Sequence, residues 1–189
     1  MRLTAEKDGY EMDETLAGQA ATGDAQAFRG LLERHYDRVY RIALGIVRNT
    51  AEAEDVTQEV WSVLPAKLRS WRGESKFTTW LHTVTLNASR DALRRAATRS
   101  RTAVGFAEVS ELSRGEAADT EARLHWLRTA LDSLSDVLRE TAVLVLADDL
   151  THAEAAKVLG VAEGTVAWRM SEVRTKLRAM AALRQEAAE

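Results

Sequence analysis

Cysteine is absent from the chain, which removes disulfides, thiolate metal sites and cysteine nucleophiles from consideration at once. Proline occurs once and glycine only ten times, too little turn chemistry for a β-sandwich or a disordered chain, so a mostly helical protein is expected. No run approaches the ~18 apolar residues of a membrane-spanning helix. The opening "MRLTAEKDGYEMDE" is too polar for a secretory signal, and a cytoplasmic location follows as an expectation. The four histidines, His35, His82, His125 and His152, are scattered without ligand spacing, so they are read as ordinary surface or semi-buried residues and no metal or cofactor is expected. Asp55 and Glu59 form a carboxylate pair, but no apolar pocket, metal ligand or base accompanies them. Their face is read as solvated, and neither an enzyme activity nor a small-molecule substrate is expected.

A large excess of basic residues is also missing. The net charge is −3, which argues against nucleic-acid binding until its distribution is read. Residues 1–60 carry −5, residues 61–101 carry +7, residues 102–140 carry −4 and residues 141–189 carry −1. The basic block holds Lys67, Arg69, Arg72, Lys76, Arg90, Arg94, Arg95, Arg99 and Arg101, interleaved with Trp71, Phe77 and Trp80. Cations interleaved with aromatics are what a single-stranded nucleic acid requires: a charged groove for the backbone and flat faces for stacked bases, worth ~1–3 kcal/mol per base. Trp80 has a second reading, since it shares a helical face with Val84 near Leu81 and fits a core position as well.

Apolar periodicity divides the chain into two helical modules, 14–98 and 123–183, so the expected fold is all-α with two small domains. Residues 1–13 carry four acids and little periodicity and are read as a mobile tail, with a short tail at 184–189. In the first module Phe28, Leu31, Leu32, His35, Val39, Ile42 or Ala43, and Ile46 recur at helical spacing after Asp24, a candidate N-cap. A second helix is expected from Thr50, as cap, with Val56, Val60, Val63 and Leu64 buried, and Pro65 ending or kinking it. A third starts near Thr78. Residues 99–122 lose periodicity and collect Gly, Ser, Asp and Glu, as a flexible linker does.

The second module ends in "LTHAEAAKVLGVAEGTVAWRMSEVRTKLR". Thr151 and Glu154 make a capping box, Gly160 supplies a turn, and a further helix starts near Glu163. This is either a helix-turn-helix, whose second helix enters the DNA major groove, or an αα-hairpin that only packs. At 100° per residue Val166, Met170, Val173 and Leu177 fall within about 60° of one another. Trp168 then faces away from them, flanked by Ser171, Glu172 and Thr175, and must meet DNA, a partner protein or the other module.

The segments "AFRGLLERHYDRVYRIALGIVRNTAEAEDVTQEVW" and "RSWRGESKFTTWLHTVTLNASRDALRR" resemble region 2 of an extracytoplasmic-function (ECF) sigma factor of the sigma-70 family, and the 150–178 segment resembles region 4. The resemblance implies a polymerase specificity subunit that binds core RNA polymerase through its β and β′ subunits, opens the minus-10 element with region 2 and reads minus-35 with region 4. It further implies control by an anti-sigma factor, commonly membrane-anchored, that wedges between the modules or clamps over their polymerase-binding faces. Carried onto this chain, Asp55, Gln58, Glu59 and Ser62 should meet core polymerase. Ser75, Lys76, Phe77, Trp80, Asn87 and Arg90 should capture a flipped base, with Arg94 and Arg95 on phosphates. Glu163, Thr165, Trp168, Arg169, Ser171 and Arg174 should face minus-35 DNA. The chain departs from the family pattern at Ala162, Ala167 and Trp168, where polar or basic residues are usual, and at Pro65. The 24-residue linker reaches at most about 80 Å, enough for sites about 70 Å apart. A free-standing helix-turn-helix repressor is the alternative, and it predicts a palindromic site and no dependence on polymerase. A helical adaptor without nucleic acid leaves the +7 block unexplained.

Overall fold

The computed structural model describes residues 2–102, 126 and 129–186, with side chains described over 12–99, 126 and 129–182. Among these residues every regular element is a helix. The first module contains α1 (Arg2–Ala21), α2 (Ala25–Val47), α3 (Thr50–Leu68) and α4 (Phe77–Thr102). The second contains a helical turn at 129–133, α5 (Asp136–Ala142), a π-helical turn (Val143–Ala147), α6 (His152–Leu159) and α7 (Glu163–Glu186). Most of the expected linker, from 103 onward, lies outside the described residues, as does His125.

Local chemistry sets the helix ends. Asp24 caps α2 as expected, its Oδ1 accepting from the backbone N–H of Gln26 at 2.8 Å and of Ala27 at 3.1 Å. Arg48 ends α2 in the left-handed region at φ 62°. The next residue, Asn49, already caps α3 by accepting from the N–H of Glu52 at 3.0 Å. Asn49 and not Thr50 is therefore the cap, and Thr50 is the first helical residue. Pro65 does not end α3, which runs on to Leu68. Only the last turn follows it, and Leu64 and Leu68 on either side are fully buried, so packing holds that turn helical. On the same helix Trp61 is buried, edge-on to Phe28 at 6.0 Å, while Val63 is exposed in contrast to the expected stripe.

The segment expected to be a mobile tail belongs to α1, which packs on α2, α3 and α4. Its anchor is ionic: Asp13 is buried, accepts from Arg34 Nε at 2.7 Å and lies 3.0 Å from His35 Nε2. Apolar periodicity cannot register such an anchor. His35 and His82 are both buried beside a carboxylate and are not surface residues.

A first core joins α1–α4 around Leu31, Val39, Val56, Val60, Leu64 and Phe77. A second runs across both modules, uniting Ile42, Ile46 and Leu86 with Val143, Leu144, Ala155, Val158, Val166 and Met170. A third, of Leu134, Leu138, Ala142 and Val173, closes α5 onto α7. The two modules thus pack on one another along a shared apolar seam.

Candidate nucleic-acid interface

Thr151 and Glu154 cap α6 reciprocally: the Glu154 N–H donates to Thr151 Oγ1 at 3.2 Å and the Thr151 N–H to a Glu154 carboxylate oxygen at 3.1 Å. Burial alone would raise the Glu154 carboxyl, but the Thr151 hydrogen bonds and the nearby Lys76 charge hold it below its ordinary value. Gly160, at φ 67°, makes the left-handed turn into α7. Val166, Met170 and Val173 are fully buried and Leu177 partly so. Trp168 is 62% exposed on the opposite side. Glu163, Ser171 and Arg174 are exposed beside it, and Thr165 and Arg169 are half-buried on the flanks. An α-helix with this outward face fits the major groove, which is about 12 Å wide.

On α3, Asp55, Gln58, Glu59 and Ser62 are all exposed. They lie opposite the buried Ala53, Val56, Thr57, Val60 and Leu64 and form one solvent face. Glu59 is not idle there, since Arg95 donates to it at 2.7 Å.

The basic block falls into parts. Arg94 and Arg95 project from α4 into solvent, with Asp91 and Glu59 as local partners at 2.7 Å each. Asn87 is exposed one turn below Arg90, and Lys76, Ser75 and Trp80 flank the start of α4. Phe77 departs from the expected role of base platform. It is 1% exposed, with His35, Trp71 and Trp80 around it at ring distances of 5.5–6.1 Å. A ring so enclosed supports the half-buried Trp80 from beneath, and a base cannot reach its face. Trp80 is both of the things its sequence allowed, packed against the core and partly open.

Arg90 donates through Nε and Nη2 to the two carboxylate oxygens of Glu140, at 2.7 and 2.6 Å. Its hydrogen bonds to Glu140 raise the guanidinium pKa further. Lys76 Nζ lies 3.7 Å from Glu154. Both acids belong to the second module; sequence reasoning placed Glu154 in the capping box but found neither acid as a partner of the first module. Nor did it find Asp148, whose side chain is 2% exposed and which accepts from His82 Nε2 and from Arg38 Nε at 3.0 Å. Burial raises this carboxyl, and the His82 hydrogen bond with the His82 and Arg38 charges outweighs it, so its pKa lies below the ordinary 3.8. For Glu140 the available signal was the sign of the charge blocks, basic at 61–101 and acidic at 102–140; Asp148 and Glu154 fall in the near-neutral 141–189 block, which gave none.

Comparison with known proteins decides what this pair of modules is. Residues 31–99 match the family model for sigma-70 region 2, and residues 124–177 match that for sigma-70 region 4. The chain is 31% identical over 164 residues to the ECF RNA polymerase sigma factor SigM of Mycobacterium tuberculosis, covering 87% of this chain and 81% of SigM. The chain belongs to the ECF RNA polymerase sigma factors. This sigma factor is also 33% identical over 186 residues to SigE of Mycolicibacterium smegmatis, over 92% of its own length and 71% of SigE. The solved structure of CnrH in complex with the cytosolic domain of CnrY matches it with a TM-score of 0.72 at 26% identity. That match covers 91% of this chain and 98% of the CnrH chain, so it takes in both modules. Sigma factors are transcription initiation factors and not enzymes. No described helix of this one is long and apolar enough to cross a membrane.

Proposed function

We propose that this sigma factor works in the cytoplasm, bringing core RNA polymerase to its promoters under the control of an anti-sigma factor. The α3 face of Asp55, Gln58, Glu59 and Ser62 docks on core polymerase. On the next faces, Ser75, Lys76, Trp80, Asn87 and Arg90 hold a flipped minus-10 base, with Phe77 as the support under Trp80, and Arg94 and Arg95 take phosphates. Unpairing costs a few kcal/mol, which these contacts must offset. The α7 face of Glu163, Thr165, Trp168, Arg169, Ser171 and Arg174 reads minus-35 duplex. The observation that carries this reading is the outward recognition face of α7, set by the capping box and Gly160 behind a fully buried Val166–Met170–Val173 stripe.

The chain is slightly acidic overall, so free protein should not coat DNA, and polymerase supplies much of the affinity. Control by an anti-sigma factor is supported by the match to CnrH as solved with CnrY. Run-off transcription with core polymerase and a promoter library tests the function. Start sites that depend on the added protein are expected. No start sites, together with protection of a palindrome by the protein unaided, would instead make it a repressor.

A further inference from the structure

We infer that this sigma factor recognises its minus-35 element through the methyl groups of thymine and not through guanine, and that Trp168 and Gly164 form the apolar notch that does so. The inference rests on the assignment of α7 to minus-35 duplex and adds the chemistry by which that helix tells one base pair from another.

The outward side of α7 is divided by charge. At 100° per residue, Gly164, Thr165, Ser171, Glu172 and Thr175 all lie within about 60° of Trp168, and none of them is a cation. The cations stand to the sides. Arg169 and Lys176 lie about 80–100° from Trp168 in one direction, and Arg178 and Arg174 about 80–120° in the other. A helix laid in the major groove has base edges in front of it and a phosphate backbone on each side. Cations on both flanks suit the two backbones, contacts that fix the helix in place but carry no sequence information. The bases are left to the ridge between them.

Guanine is most often recognised by an arginine or lysine that donates to its O6 and N7 acceptors. The ridge has no such side chain, and the carboxylate oxygens of Glu172 accept only, so they oppose those two acceptors. Thymine instead presents a C5-methyl group, which the other three bases lack in this groove. Trp168, 62% exposed, is the large apolar surface of the ridge, and covering a methyl withdraws both from water.

Gly164 points the same way. It lies one turn before Trp168 on the same face, within the regular helix of α7. A Cβ at this position would meet no atom of the described residues within 4 Å, so packing does not require glycine here. Glycine weakens an exposed helix, and the fold gains nothing from it at this point. Open space beside an exposed indole has a use in the groove: it lets a base edge bring its methyl against the flank of the ring.

Deoxyuridine tests this one group at a time, because it pairs as thymine does and lacks only the C5-methyl. A responsive promoter from the run-off library is remade with deoxyuridine in place of its minus-35 thymines and transcribed by core polymerase with the full chain. At limiting protein, the wild type should lose about fourfold in run-off for each methyl that the ridge covers. Trp168→Ala should transcribe both forms of the promoter equally, whatever its total output, since the ratio is what is read. Gly164→Leu, whose side chain has room, should keep a urea midpoint at or above wild type and also lose the distinction. Equal run-off from both forms with the wild type, or a minus-35 element without thymine, overturns the inference. A deoxyuridine loss undiminished in Trp168→Ala or in Gly164→Leu overturns the notch. Absence of any start site with the wild-type chain and core polymerase would overturn the sigma-factor assignments instead, and the two failures are distinguishable.

Discussion

Phe77 and Trp168 are both aromatic residues in regions assigned to DNA, and burial separates them. Phe77 fills the core under Trp80. Phe77→Ala should cost ~3–5 kcal/mol of stability, read from urea unfolding, and its effect on transcription should follow the loss of folded protein. Trp168 supports nothing, so Trp168→Ala should change stability by no more than ~0.5 kcal/mol. Its indole can press on thymine methyls in the major groove, and the substitution should lower discrimination between promoters that differ at minus-35. Normal transcription with weakened inhibition would make Trp168 an anchor for the anti-sigma factor instead. The outward direction of Trp168 was legible in the sequence because three buried residues fix the phase of α7. The burial of Phe77 was not, since it depends on His35 and Trp71 arriving from other parts of the chain.

Element boundaries were legible where one local interaction decides them, as at Asp24, Thr151 and Gly160. They were missed where two neighbours compete. Asn49 and Thr50 can each cap a helix, and the choice falls on the residue with extended backbone, Asn49 at φ −130° and ψ 128°. Asn49→Ala should therefore destabilise the protein by ~1 kcal/mol, while Thr50→Ala at the first helical position should stay within ~0.5 kcal/mol. Thermal melts of the two variants side by side check the assignment, and equal losses would contradict it. The expectation that Pro65 could end α3 failed for a related reason. A proline penalty is local, whereas Leu68 beyond it is held by the first core. α1 was missed because its anchor, Asp13 against Arg34 and His35, is made of charge.

At the scale of the whole molecule, two modules and their order were legible from periodicity and motif, but their packing on one another was not. The seam depends on carboxylates that pattern reading assigns to solvent. Buried carboxylates at the seam and within the first module give the folded protein a pH dependence whose sign is fixed. Asp148 at the seam and Asp13 on α1 both have pKa values below the ordinary 3.8: burial raises each, and the adjoining histidine and arginine outweigh it. A depressed carboxylate contributes stability in full above its unfolded value and loses it as pH falls through its folded one. The urea midpoint should therefore hold steady down to about pH 5 and fall progressively below that. Asp148→Asn should lower the midpoint at neutral pH and make the acid decline shallower, without abolishing it, because Asp13 still titrates. The groups facing Asp148 are Arg38 and Arg41 from α2 and His82 from α4, all of which favour its charged form. If the wild type and Asp148→Asn decline with the same slope between pH 5 and 3, Asp148 does not bind the modules together in the way its contacts require.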